Sequence, residues 1–206
     1  MKATTEDSAE QPEKKKRSFW AELPGLLVMA LAIAVVIKTF LIQPFWIPSE
    51  SMLPTIQVND RVMVNKLAFK LGEPQRGDVV VFRDPAEGEI EESIPEAVIR
   101  SVLEAIGVRT RGADDLIKRV IGLPGETIHI EDNRVFVDGV AIDEPYLASV
   151  NMPDDGPFEV GPEEFFVMGD NRNFSFDSRG FGPVPMDDLI GRAFVIIWPV
   201  EHFGDV

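Results

Sequence analysis

A serine at position 51 is held between two prolines in the run Ile47-Pro48-Ser49-Glu50-Ser51-Met52-Leu53-Pro54-Thr55. A serine hydroxyl is a weak nucleophile and attacks a carbonyl only when a base lies within hydrogen-bond reach. Histidine is the usual base, and the chain has two. His202 stands four residues from the C-terminus, where a chain end is expected to fray, and His129 alternates with apolar residues as an ordinary strand residue does. Neither suits a Ser-His-Asp triad. There is no cysteine, so a thiol nucleophile, a disulfide framework and a cysteine metal site are all excluded.

Lysine is the remaining base. Beyond position 42 there are three, Lys66, Lys70 and Lys118. The first two lie in Asn65-Lys66-Leu67-Ala68-Phe69-Lys70, which reads as a solvated turn. Lys118 lies inside the apolar run Leu116-Ile117-Lys118-Arg119-Val120-Ile121. Neighbouring strand residues face opposite sides, so one of Lys118 and Arg119 is expected on the packed side. Burial lowers a lysine pKa because it penalises the charged form. A shift from about 10.4 to about 8 costs roughly 3 kcal/mol and leaves about a tenth of the amines neutral near pH 7. Such an amine is a competent general base. A lysine that merely snorkels out of a strand is the plainer reading of Lys118 taken alone.

A third polar cluster follows an apolar strand. Gly169 to Pro185 reads GDNRNFSFDSRGFGPVP, dense in turn and charged residues. Asp177 and Arg179 are spaced to form a clamp, and Ser175 is able to orient an amine. Composition alone leaves this loop equally readable as a plain connection.

These parts need elements to hold them. From Leu23 to Ile37 there is no charged residue, and Ala21–Ile42 is 22 residues long, near the ~20 that cross a ~30 Å hydrocarbon core. Lys38 is placed to snorkel near its end. The basic cluster Lys14–Arg17 precedes it, which keeps that end cytoplasmic and exports everything after Ile42. Large Phe40, Leu41, Phe45 and Trp46 stand where a cleavable leader needs small residues, so the span is expected to stay as a single-pass anchor in the plasma (inner) membrane. Residues 1–20 form a cytoplasmic tail that is polar, aperiodic and expected to lack order.

The exported part, 43–206, is broken every eight to twelve residues by Gly, Pro, Asp or Asn. Between the breaks, Arg61–Val64, Val79–Phe82, Leu116–Ile121, Thr127–Ile130, Arg134–Val137, Glu164–Met168 and Arg192–Ile197 read as strands, and Asp132-Asn133 as a hairpin turn. A mainly β fold follows, a coiled antiparallel sheet or barrel-like domain behind the anchor. Residues 84–113 read as an insertion, with helical apolar spacing near 94–106 capped by Gly107. Past Ile42 there are 14 Lys and Arg against 30 Asp and Glu, a balance of −16, so nucleic acid is not an expected partner.

In their order along the chain, these segments resemble bacterial type I signal peptidase, the serine–lysine endopeptidase that removes signal peptides from exported preproteins. The likeness rests on Pro48–Thr55, on Arg76-Gly77-Asp78-Val79-Val80-Val81-Phe82, on Ile117–Glu126 and on Gly169–Pro185, and it runs from about Ile37 to Pro199. The resemblance implies Ser51 as acylating nucleophile and Lys118 as general base. It implies Ser49 as an oxyanion-hole donor beside the Ser51 N–H, Ser175 as the orienter of the amine, and Asp177 with Arg179 as a supporting ion pair. Cleavage after Ala-x-Ala implies small apolar pockets, matched by Phe45, Ile47, Met52, Ile56, Val62, Val81 and Ile117. The partners implied are exported preproteins and the lipid bilayer, with no metal and no cofactor. The chain departs from the family at Glu50, where glycine is common, at Asn173-Phe174 in place of an acid-amide pair, and at Phe181 in place of tryptophan.

Three other readings compete. A self-cleaving repressor protease shares the chemistry but carries a DNA-binding N-terminus instead of a span. A penicillin-interacting enzyme needs Ser-x-x-Lys, and the third residue after Ser51 is Pro54. A catalytically inactive membrane-anchored relative fits everything except the joint presence of Ser51, Lys118 and Ser175.

Overall fold

Short β-branched runs separated by turn residues pair into sheets once each can bury one face. In the computed structural model, which describes residues 19–85 and 115–206 (backbone alone at 19–22 and 36–40), this produces two antiparallel sheets. The strands are β1 (Ile42–Trp46), β2 (Arg61–Asn65), β3 (Val79–Phe82), β4 (Leu116–Gly122), β5 (Thr127–Glu131), β6 (Arg134–Val137), β7 (Val140–Ala141), β8 (Asp155–Glu159), β9 (Glu164–Met168), β10 (Val184–Pro185), β11 (Leu189–Trp198) and β12 (Gly204–Asp205). The larger sheet runs β1-β2-β11-β3-β4-β9-β10, with β12 paired to β11; the smaller runs β7-β6-β5-β8. The chain is mainly β, as its patterning requires.

An N-terminal unit, 1–34, separates from the β unit, 35–206. Helix α1 (Phe19–Phe40) begins two residues before the expected span and ends two before it, because Ile42 opens β1. Its described side chains include exposed Leu26, Leu27, Val28, Met29, Leu31 and Ile33. No helix within the described residues is long and apolar enough to cross a membrane. The expected tail up to residue 18 and the insertion helix near 94–106 lie outside the described residues. Two one-turn helices complete the elements named here, α2 (Ala68–Leu71) and α3 (Ser178–Phe181).

Three apolar clusters hold the β unit. The first gathers Ile47, Met52, Ile56, Val62, Val64, Val79, Val81, Ile117, Ala193 and Ile196. The second lies between the smaller sheet and β9, around Ile128, Val135, Phe166 and Met168. The third includes Val80, Phe82, Val120 and Val167. The first and third share strands β3 and β4, so both strands are covered on both faces. Hence Lys118 (3 % exposed) and Arg119 (7 %) are both buried: alternation puts one of them on the packed side, and here the opposite face is packed as well.

The Asp132-Asn133 turn forms as expected, both residues at positive φ (51° and 61°), the twist that suits a two-residue hairpin. The C-terminus does not fray. Strand β12 pairs with β11, and His202 Nδ1 lies 2.8 Å from Asp60 Oδ1. His129 stacks on Phe136 with ring centroids 4.7 Å apart, in keeping with an ordinary strand position.

Candidate active site

The Ser51 segment is a loop closed at its neck. Ile47 N–H bonds Asp60 O at 3.0 Å and Asn59 N–H bonds Ile47 O at 2.8 Å. Asp60 further accepts from Gln57 N–H at 2.8 Å. Within the loop, Leu53 N–H reaches Glu50 O and Ile56 N–H reaches Met52 O, so the chain turns tightly there. Met52 and Ile56, both fully buried, pin it into the first apolar cluster. Two prolines restrict the backbone that remains. Ser51 is consequently held at 6 % exposure, not left on a free loop.

Strand β4 supplies the amine. Its neighbours β3 and β9 fix its register, with Val80 opposite Lys118 and Met168 opposite Arg119. Lys118 Nζ lies 2.9 Å from Ser51 Oγ and 2.8 Å from the carbonyl of Ile117. Ser51 and Lys118, 67 positions apart in sequence, are joined by one hydrogen bond. Burial pushes the Lys118 pKa down from 10.5 to about 8, although Asp177, Asp84 and Asp170 pull the other way. Desolvation wins, so a useful fraction of the amine is neutral near neutral pH. Ser49 Oγ lies 3.3 Å from Ser51 Oγ.

The loop after β9 is bound to the Ser51 segment by its backbone. Asn171 N–H donates to Ser51 O at 3.0 Å, and Asn171 Nδ2 donates to Glu50 O at 3.1 Å. Gly169 permits that approach: a Cβ there would stand 2.4 Å from Ser51 O and 2.3 Å from Ser175 Oγ. Asp177 caps α3, accepts from Gly169 N–H at 3.0 Å and takes two bonds of 2.8 Å from the Arg179 guanidinium. Arg179 also donates to Arg172 O at 2.8 Å. The expected clamp is thus present, tying the loop's two ends together. Ser175 Oγ is buried, and it makes no hydrogen bond with the described residues. The structure therefore joins Ser49 and Lys118 each to Ser51, and the Ser175 hydroxyl makes no hydrogen bond to the amine.

Two buried ion pairs were not legible in the sequence. Arg119 grips Asp170 through Nε at 2.8 Å and Nη2 at 2.7 Å, and donates to Gly77 O. Asp170 also accepts from Thr55 Oγ1 at 2.5 Å, linking β4 to the Ser51 loop. Arg172, fully buried, pairs with Glu144 at 2.5 and 3.1 Å and donates to Gly169 O. Tyr146 joins the pairs: its ring lies 4.2 Å beneath the Arg119 guanidinium and its hydroxyl donates to Glu144. Burial first, and then Glu144, raise the Tyr146 pKa, which keeps that phenol a donor. Arg119 in an apolar strand was the only sequence signal for this network.

The apolar residues expected to line pockets converge. Ile47, Met52, Ile56, Val62, Val81 and Ile117 belong to one cluster, and Phe45 packs against it. Apart from Phe45 all are buried, so they make the floor under Ser51 more than its open walls.

A serine and a dehydrated amine at hydrogen-bond distance, beside a small apolar floor, can acylate and deacylate on an extended peptide. The sequence matches the signal peptidase family, peptidase S26, over residues 20–198. It is 38 % identical over 204 residues to probable signal peptidase I-2 of Synechocystis, covering 97 % of this chain and 85 % of that one. It is 41 % identical over 178 residues to signal peptidase I of Leptolyngbya laminosa, covering 86 % and 79 % respectively. A solved signal peptidase I from Enterococcus faecalis aligns with 59 % of this chain and 97 % of its own at 28 % identity, with a TM-score of 0.44. The chain belongs to the signal peptidase family.

Proposed function

We propose that this chain is a membrane-held serine endopeptidase that removes signal peptides from exported preproteins by a Ser51–Lys118 mechanism. The observation that carries this is the 2.9 Å contact between a buried hydroxyl and a buried amine whose pKa is lowered. With the amine neutral, Ser51 Oγ–H gives its proton to Lys118 Nζ as the oxygen attacks the scissile carbonyl. The tetrahedral oxyanion is received by the Ser51 N–H and the Ser49 hydroxyl. Lys118, now an ammonium, returns its proton to the leaving amine, and the signal peptide remains as an ester on Ser51. A water that gives its proton to Lys118 then hydrolyses that ester.

Residues Phe45, Ile47, Met52, Ile56, Val62, Val81 and Ile117 supply the dry floor on which alanine side chains rest. Larger side chains meet a packed cluster and are rejected by shape. Asp177 and Arg179 position the loop that carries Ser175, the residue assigned to orient the amine. The span 21–42 anchors the enzyme with residues 1–20 cytoplasmic and the β unit on the outer face. Exposed Trp46 and Trp198, which stand opposite Arg61 from either side, support a bilayer surface nearby, as do exposed Val200 and Phe203.

The test is cleavage of a preprotein bearing an Ala-x-Ala site by the purified full chain. Ser51→Ala, Lys118→Ala and Lys118→Arg should each lower turnover by more than about a thousandfold, the arginine because it cannot surrender its proton. Near-normal turnover by any of the three would overturn the assignment. Ser175→Ala should lower kcat and leave KM unchanged. Resistance of the protein to alkaline extraction from membranes tests the anchor.

A further inference from the structure

Two exposed side chains stand next in sequence to the serines of this site. Phe174 is 73 % exposed, and its ring makes no aromatic contact among the described residues. Glu50, next to Ser51, is exposed, and its carboxylate makes no hydrogen bond or ion pair with the described residues. The nearby guanidiniums are already engaged: Arg119 by Asp170, Arg172 by Glu144 and Arg179 by Asp177. Yet both residues are firmly placed. Asn171 holds the Ser51 carbonyl through its N–H and the Glu50 carbonyl through Nδ2, and its own carbonyl accepts from Phe174 N–H at 3.0 Å. The backbones that carry this carboxylate and this ring are thus both bound to one asparagine beside the nucleophile. Met52 and Ile117, the sequence neighbours of Ser51 and Lys118, belong instead to the buried apolar cluster.

We propose that Glu50 and Phe174 form the leaving side of the site and select a cationic side chain just beyond the cleaved bond. This rests on the peptidase reading above, in which the signal side takes the apolar floor, so the exposed Glu50 and Phe174 are left to the departing chain. An unpaired carboxylate attracts lysine or arginine, and an exposed ring adds a cation–π face. No covalent step is added; the effect is on recognition.

The experiment compares full-length enzyme in detergent micelles on three preproteins that differ only at the second residue after the cleaved bond: lysine, glutamine or glutamate. At low salt kcat/KM should favour lysine over glutamate by roughly fivefold, shrinking toward parity as salt screens the exposed charge. Glu50→Gln should reduce that ratio below about twofold, and Glu50→Lys should invert it. Phe174→Ala should weaken the lysine preference, and Phe174→Tyr should keep it. Equal kcat/KM for all three substrates, or a ratio unchanged in Glu50→Gln, overturns this inference alone. Failure to cleave any of the three overturns the peptidase reading beneath it.

Discussion

Replacing Lys118 with methionine keeps much of the side chain's volume and removes its charge, so it isolates what the dehydrated amine costs the fold. The folded pKa is about 8 against 10.5 for the free group, a gap equivalent to about 3 kcal/mol. Because the folded value is the lower one, the unfolded chain binds more protons between those two values. Stability therefore rises with pH across that window, and the whole cost is present below about pH 8. Two hydrogen bonds are lost with the amine, to Ser51 Oγ and Ile117 O, each worth about 1 kcal/mol net. At pH 7 the variant should be more stable than the parent by about 1 kcal/mol. From pH 7 to pH 10 the parent should gain about 2.5 kcal/mol relative to the variant, reversing the order. Urea titrations of both full chains in micelles, followed by tryptophan emission, measure that difference directly, and shared titrations cancel. Stability curves that run parallel from pH 7 to 10 would refute the claim of a dehydrated, pKa-lowered amine.

Activity should carry the same signature. For the parent enzyme kcat/KM on a preprotein is expected to climb as pH passes through about 8, where Lys118 loses its proton, and a flat profile from pH 6 to 10 would contradict it. Gly169→Ala forces a methyl into the Ser51 carbonyl and the Ser175 hydroxyl; it should cost about 1–3 kcal/mol of stability and abolish cleavage, measured by denaturant midpoint and turnover. Glu144→Gln leaves the fully buried Arg172 without its countercharge and should cost about 3 kcal/mol. Adding Arg172→Met should restore most of that loss in the same unfolding assay.

Much of the β unit was written in local pattern. Val79–Phe82, Arg134–Val137 and Glu164–Met168 are strands with the bounds their β-branched runs mark, and the Asp132-Asn133 turn follows from two residues that tolerate positive φ. Ile42–Trp46 was hidden because its apolar residues continue the helical run and Pro44 argues against a strand; β1 tolerates that proline because, among the described residues, it pairs on one side alone, with β2. Asp155–Glu159 begins Asp-Gly-Pro, which reads as a turn. For the site, elimination among bases led from Ser51 to Lys118, whereas the supporting charges were out of reach. Arg119 and Asp170 are 51 residues apart, and Arg172 and Glu144 are 28 apart. No local period encodes such partnerships; only the packed sheet does.

The two-faced covering of β4 has a consequence for quality control within the molecule itself. Side chains on a strand swap faces when pairing slips by a single step. Here such a slip would aim a permanently protonated guanidinium at the hydroxyl and strand the amine against Gly77 and Asp170. Misalignment and inactivity would therefore coincide. Chains assembled out of step would be inert toward other proteins while also being the least able to stay folded.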